Sequence, residues 1–162
     1  MGRSNQTRYV GGMRVFTTLD EVSAASGEEL GTSEWLRIDQ DRVDKFAEAT
    51  GDHQWIHVDV EKAASGPFGG TIAHGYLTLS LVPFLGSKVV SFETPGAKLN
   101  YGTNKVRFPH PVLVGKRIRA HVALAEVTDL PSGKQATIRY TIEIEGVDKP
   151  ACVAETVVLL LP

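Results

Sequence analysis

A strict two-residue alternation near the C-terminus constrains the fold of this chain more than any other feature. Within residues 137–145 the apolar side chains Ile138, Tyr140, Ile142 and Ile144 occupy every second position, and polar or charged residues fill the positions between them. Successive side chains of a β-strand point to opposite faces of the sheet. The pattern therefore predicts a strand with one buried face and one solvent-exposed face.

The same period recurs on both sides of this segment and predicts an antiparallel sheet. Turn residues at 131–133 separate the strand from an earlier alternating segment, which has its apolar residues on one face and arginines on the other. We count about five strands, near the usual size of a sheet. They are predicted at residues 34–38, 98–108, 117–124, 137–145 and 151–161.

Two helices are predicted before the strand-rich half. Asp39 is a suitable N-cap for a short amphipathic helix, and Gly51 is a natural stop for it. A second helix over residues 74–85 is apolar on nearly every side, as expected of a helix that other elements enclose. Pro83 should kink or shorten it. An antiparallel sheet with one enclosed helix places the chain in the α+β class.

Composition and charge exclude several classes of function. The 162 residues fit one domain, for which we expect a disordered extension over residues 1–12 and a folded domain over 13–162. A net charge of -2 implies no large electrostatic attraction to nucleic acid or to an anionic membrane surface, so any basic patch must be local. The uncharged stretch 63–87 is rich in glycine and small polar residues, which favours a buried helix over a membrane span. The single Cys152 forms no internal disulfide, so we expect it in the core of a cytoplasmic protein.

The residues with the clearest chemistry lie between the two predicted helices. In a continuous helix Asp52 and His57 would point roughly 140° apart, so they can converge only if the chain leaves the helix between them. Gly51 permits that departure. A carboxylate and an imidazole could then hold one water molecule and both remove and supply a proton.

Two other interpretations of this segment compete with catalysis. Asp52 is also a common turn residue and His57 a common packing residue, and an isolated pair at this spacing is more often structural. His53 and His57, four residues apart, would share a helix face as a metal pair does. That alternative needs the helix that Gly51 ends, and no convincing third ligand follows, so we predict no metal.

A second constellation stands at the start of the predicted buried helix, around His74 and Gly75. The first N–H groups of a helix have no partner within it and can stabilise an oxyanion. A glycine would let a ligand approach that backbone closely. The alternative is that Gly75 only permits close packing.

Taken together, these motifs resemble a known family. The chain is similar to the MaoC-type dehydratases, also called (R)-specific enoyl-CoA hydratases or hydratase 2, and Gln54-Trp55-Ile56-His57 is similar to the NodN-like branch. The resemblance runs from about residue 13 to the C-terminus. Its motifs are Phe46-Ala47, Thr50-Gly51-Asp52, His57-Val58-Asp59 and Ile72-Ala73-His74-Gly75.

The resemblance implies a hot-dog fold, in which an antiparallel sheet wraps a central helix, and a homodimer. It implies Asp52 and His57 as the catalytic pair and the N–H of Gly75 as the group that polarises a thioester carbonyl. Gln54 replaces the family's asparagine, and its amide is expected to bind substrate. The implied reaction is (R)-specific hydration of a trans-2-enoyl-CoA, without a cofactor. An acyl-CoA thioesterase and a non-catalytic acyl-CoA-binding module are the alternatives.

Overall fold

A computed structural model describes residues 7–162 as two sheets and six short helices. The small sheet has the order β1-β2-β5, from Arg8–Val10, Met13–Phe16 and Val90–Phe92. Helix α1 (Leu19–Ala24) follows β2. Within these residues no helix is both long enough and apolar enough to cross a membrane.

The main sheet confirms the predicted antiparallel arrangement. Its strands are β3 (Glu29–Thr32), β4 (Leu36–Arg37), β6 (Lys98–Arg107), β7 (Arg117–Leu130), β8 (Gly133–Ile144) and β9 (Val147–Leu160). They lie in the order β3-β7-β8-β9-β6, and the two-residue strand β4 also pairs with β7. Neighbouring strands of this sheet run antiparallel throughout.

The alternation in β8 produces the predicted buried face. Ile138, Tyr140, Ile142 and Ile144 are all at most 6% exposed, because they face the core. Arg139, between them, is exposed and lies directly opposite Glu155 of β9. Polar side chains thus cover the outer face of the sheet, and the inner face is left to pack against helices.

The inner face packs against a helical segment that is split in two. Helix α5 covers Gly75–Ser80 and α6 covers Val82–Gly86, where a single helix was predicted over 74–85. The division has a local cause: Pro83 stands in the first turn of α6 and has no N–H to continue the hydrogen-bond ladder. Leu77, Leu81 and Leu85 still point into the core.

Helix α2 (Gln40–Thr50) begins and ends where the sequence predicts. The Asp39 carboxylate accepts a 2.9 Å hydrogen bond from the N–H of Arg42. Gly51 adopts a left-handed conformation, with φ of 79°, and its N–H donates to the carbonyl of Ala47. The chain leaves the helix there, continues through residues 52–54, and forms α3 (Trp55–Val58) and α4 (Val60–Ala64).

The strands of the N-terminal half also differ from the sequence prediction. The expected disordered extension over residues 1–12 includes β1, which pairs antiparallel with β2, whereas residues 1–6 lie outside the described residues. The strand predicted at 34–38 is only two residues long, and β3 precedes it. Strand pairing decides both features: β1 joins β2 through the turn at Gly11 and Gly12, and β3 and β4 pair with β7, which is distant in the sequence.

Candidate active site

The loop after α2 brings Asp52 and His57 together. Residues 51–54 are not helical, and His57 lies in the next short helix, α3. The Asp52 carboxylate and one ring nitrogen each of His57 and His74 lie within 4.8 Å of one another. The non-helical turn on which the sequence prediction depended is therefore present, and a third residue joins the pair.

The imidazole of His57 is held in one tautomer. The ring is 6% exposed, and its Nδ1 lies 2.7 Å from the carbonyl oxygen of Ile72. A carbonyl oxygen only accepts, so Nδ1 carries the proton and Nε2 keeps a lone pair. Burial, together with the neighbouring His74 ring, holds the pKa of His57 below its usual value, although the Ile72 bond opposes that effect. The ring is thus a neutral base near pH 7.

His74 connects the two members of the pair. Its Nε2 donates a 2.9 Å hydrogen bond to the backbone carbonyl of Asp52, and its ring stacks on that of His57 with centroids 3.8 Å apart. The Phe46 ring also packs against the His74 ring, with centroids 4.9 Å apart. Within residues 7–162 the buried Nδ1 of His74 has no hydrogen-bond partner. Sequence reasoning placed His74 only at the helix start, because its two contacts come from segments 17 and 22 residues upstream.

Asp52, His57 and His74 carry groups of the types that bind metal ions, within 4.8 Å of one another, although the sequence predicts no metal. The two rings are stacked, with their planes inclined by 24°. The alternative pair, His53 and His57, does not share a helix face. His53 lies in the loop before α3 with a half-exposed side chain, 3.8 Å from Glu48.

A cavity of about 280 Å³ opens beside His57. Gly75 lines the same cavity. Because Gly75 is the first residue of α5, its N–H has no acceptor one turn back within the helix. The lining is otherwise mainly apolar, which suits a hydrocarbon chain. It comprises His57, Phe68, Ile72, Ala73, Gly75, Thr78, Phe108, His110, Pro111, Val112 and Ala151.

Gly75 also permits close packing. A Cβ placed on it would lie 3.0 Å from Cδ2 of Phe108, closer than ordinary contact distance. Both interpretations of this glycine from the sequence are therefore compatible with its surroundings: an approachable N–H and a tight contact with an aromatic ring.

Gln54 stands apart from the cavity. It is the exposed residue before α3, and its backbone carbonyl accepts from the N–H of His57 at 3.0 Å. Its own N–H lies 3.4 Å from the Asp52 carboxylate. Cys152 is fully buried, as predicted, and burial raises the pKa of its thiol to about 11.

Comparison with known proteins identifies the family. The model of the MaoC like domain matches residues 21–146, most of the chain. The chain belongs to the MaoC-like family. It is 54% identical over 147 residues to 3-hydroxyacyl-thioester dehydratase Z of Mycobacterium tuberculosis, with 90% of this chain and 97% of that protein covered. It is also 44% identical over 148 residues to nodulation protein N of Rhizobium leguminosarum, covering 88% and 91%.

A solved MaoC-like structure has the same fold. The (R)-hydratase of A. caviae, involved in PHA biosynthesis, superposes with a TM-score of 0.68 at 28% identity, covering 83% of this chain and 97% of that one. The predicted α+β hot-dog fold and the predicted family are both confirmed. The roles of Asp52, His57, Gly75 and Gln54 remain predictions that the geometry now makes specific.

Proposed function

We propose that this MaoC-like protein hydrates trans-2-enoyl-CoA thioesters to (R)-3-hydroxyacyl-CoA and catalyses the reverse dehydration, as a hydro-lyase of acyl metabolism. One observation carries the proposal: a neutral imidazole with its Nδ1 bonded to a backbone carbonyl lies beside a carboxylate, on the cavity that Gly75 also lines. The relatives named as a dehydratase and an (R)-hydratase support the same reaction class.

The proposed chemistry assigns a part to each group. Nε2 of His57 accepts a proton from a water molecule that the Asp52 carboxylate orients, while the water oxygen forms a bond to C3 of the substrate. The electrons of the double bond move toward the thioester carbonyl, and the His57 and Asp52 pair returns a proton to C2 on the same face. The elements of one water are added, and the thioester stays intact. No metal, nicotinamide or flavin is needed.

Gly75 supplies the third element of the proposal. Negative charge develops on the thioester oxygen as C3 is attacked, and an N–H group already in place stabilises that charge without reorganising. The apolar wall near Phe108 and Val112 would hold the acyl chain in the same cavity. For Gln54, which is exposed and lies outside the cavity lining, we propose an amide contact with a part of the substrate that extends beyond the cavity.

A coupled assay tests the reaction. Purified protein is mixed with a short trans-2-enoyl-CoA, and loss of enoyl absorbance is followed together with release of free thiol. A hydratase removes the conjugated double bond and releases no thiol. A thioesterase releases thiol, and a binding module changes neither signal, so either result would overturn the proposal.

Substitution of the pair then assigns the residues. Asp52→Asn removes the charge but not the shape, and His57→Gln removes proton transfer. Each should lower kcat by about 10² to 10⁴, with a much smaller change in substrate binding. Groups that act as one unit lose activity non-additively, so the double variant should be little worse than the poorer single one. A stable Asp52→Asn protein with near wild-type turnover would contradict the assignment.

We also propose a homodimer, formed through the free edge of the main sheet. Within the described chain β6 pairs only with β9, and nine of its ten residues are exposed. They include Leu99 and Tyr101, 48% and 71% exposed, which form an apolar edge that an unpartnered strand rarely presents to water. Two copies could pair these edges about a two-fold axis.

Light scattering at micromolar concentration tests the dimer, with Tyr101→Glu as the disrupting variant. The wild-type protein should have twice the mass of the chain and the variant should shift toward monomer. A fully active monomeric wild type would contradict the proposed interface. A cytoplasmic location is proposed as well, and fractionation of the source cell tests it.

A further inference from the structure

Gln40, the first residue of α2, joins both segments that hold His57. Its Nε2 donates to the backbone carbonyl of His57 at 2.7 Å and to the Asp44 carboxylate at 2.8 Å. Its Oε1 accepts from the hydroxyl of Thr71 at 2.6 Å. Both Nε2 partners can only accept, so the orientation of the amide is fixed by its surroundings.

These hydrogen bonds reach the two segments that surround the His57 ring. Thr71 directly precedes Ile72, whose carbonyl accepts the proton of His57 Nδ1. The N–H of Ile72 donates to the carbonyl of Ile56 at 3.0 Å, next to His57 in α3. Gln40 therefore forms hydrogen bonds to the backbone that carries the imidazole and, through Thr71, to the loop segment that orients the ring.

The amide is not needed to cap α2. Asp39 is the N-cap of that helix and already bonds to its first turn. The bonds of Gln40 to His57 and Thr71 instead span 17 and 31 residues, and Thr71 is buried. A glutamate at this position would have no donor for either Nε2 partner. Only an amide satisfies two acceptors and one hydroxyl donor at once.

We propose that Gln40 is a positioning residue, which acts through Thr71 and the His57 backbone to keep Nε2 of His57 aimed at the reacting water. The inference rests on the proposed function of His57. A shift of about 1 Å in a catalytic group can cost on the order of 10²-fold in rate. Loss of the amide should therefore lower kcat by about 10- to 100-fold and leave KM nearly unchanged.

Matched variants isolate this effect. Gln40→Met keeps the length of the side chain but removes all its hydrogen bonds, Thr71→Val removes the hydroxyl, and Thr71→Ser restores it. Lys45→Met is the control, because it removes an exposed 2.7 Å hydrogen bond from the same helix without touching either segment. We expect Gln40→Met and Thr71→Val each to lower kcat, and the double variant to be no worse than the poorer single variant. Thr71→Ser and Lys45→Met should match the wild type.

The decisive readout uses a variant without the imidazole. If Gln40 acts through His57, Gln40→Met should leave the residual rate of His57→Gln unchanged. An equal fold-loss in both backgrounds would show that Gln40 acts only on stability or elsewhere, and would overturn the proposal. Thermal melts of each variant confirm that the compared proteins are folded.

An NMR titration of His57 separates this proposal from the proposed reaction. Asp52 and His74 are the ionisable groups that act on the ring, and burial is the main cause of its lowered pKa. Loosening the segment in Gln40→Met should admit water and move that pKa upward toward the ordinary imidazole value. An inactive wild-type protein would refute the hydratase assignment alone. An unmoved His57 titration in Gln40→Met would refute the positioning role.

Discussion

Replacing Gly75 with alanine distinguishes an approachable N–H from simple close packing. The added Cβ would lie 3.0 Å from Cδ2, 3.1 Å from Cγ and 3.2 Å from Cε2 of Phe108. Carbon atoms in ordinary contact are about 3.5 to 4.0 Å apart, so the ring must move by roughly 0.5 to 1 Å. Phe108 is 40% exposed and has an open side toward which to move.

The cost in stability should therefore be modest. Overpacking a closed core typically costs about 1 to 3 kcal/mol, and a half-exposed ring should place Gly75→Ala near the lower limit. For a chain of this size about 1 kcal/mol corresponds to a fall in Tm of roughly 2 to 4 °C. The helical backbone at Gly75 accepts alanine without strain, since its φ is not positive.

The cost in activity should be larger. The new methyl group stands beside the N–H that we propose for the thioester carbonyl, so kcat/KM for an enoyl-CoA should fall by about 10- to 100-fold, below the loss typical for removing an oxyanion donor outright. Phe108→Leu provides room for the methyl group. In the double variant we expect the Tm to recover to that of Phe108→Leu alone. Its kcat/KM should stay below that of Phe108→Leu alone.

The reverse result would refute the reasoning. If Phe108→Leu restored both Tm and kcat/KM in the Gly75→Ala protein, the glycine would serve packing alone. A folded Gly75→Ala protein with wild-type kcat/KM would reject the oxyanion role directly. Melting curves and enoyl absorbance, measured on the same preparations, give both quantities.

Three further predictions concern pH, the thiol and a helix cap. Burial and His74 lower the pKa of folded His57 below about 6.5, so the unfolded state binds more protons in the interval between the two values. The contribution of this lowered pKa to the free energy of unfolding should therefore be complete above pH 6.5 and disappear as the pH falls through the folded pKa. Urea titrations should find this pH dependence weakened in His57→Gln. Hydration should likewise lose rate only as pH falls through that lowered pKa. With a pKa of about 11, buried Cys152 should resist alkylation at pH 8 until the protein is denatured, and rapid labelling of the native protein would contradict its core position. Asp39→Ala removes the 2.9 Å cap of α2 and should cost about 1 kcal/mol, measured by urea unfolding; an unchanged midpoint would mean that the cap is dispensable.

Local patterns in the sequence were sufficient to predict the long antiparallel strands and the boundaries of α2. The alternation at Ile138 to Ile144 predicts the buried face of β8, and Asp39 and Gly51 mark the ends of α2. These features depend on side-chain period and on backbone preferences, which neighbouring residues carry by themselves. Gly51 also predicted the departure from the helix that lets Asp52 approach His57.

Contacts between distant segments decided the rest. The stacking of His74 on His57, the hydrogen bond from His74 to Asp52 and the amide bridge of Gln40 join residues 17 to 31 positions apart. No local period marks such partners, because they depend on how the loops cross in the folded chain. The sequence by itself thus pointed to the groups to which we assign the proposed chemistry. Only the tertiary structure decided which ring nitrogen of His57 is free and which side chains hold the ring in place. The reason is that the direction of each hydrogen bond depends on where a carbonyl group of a separate segment lies in the folded chain.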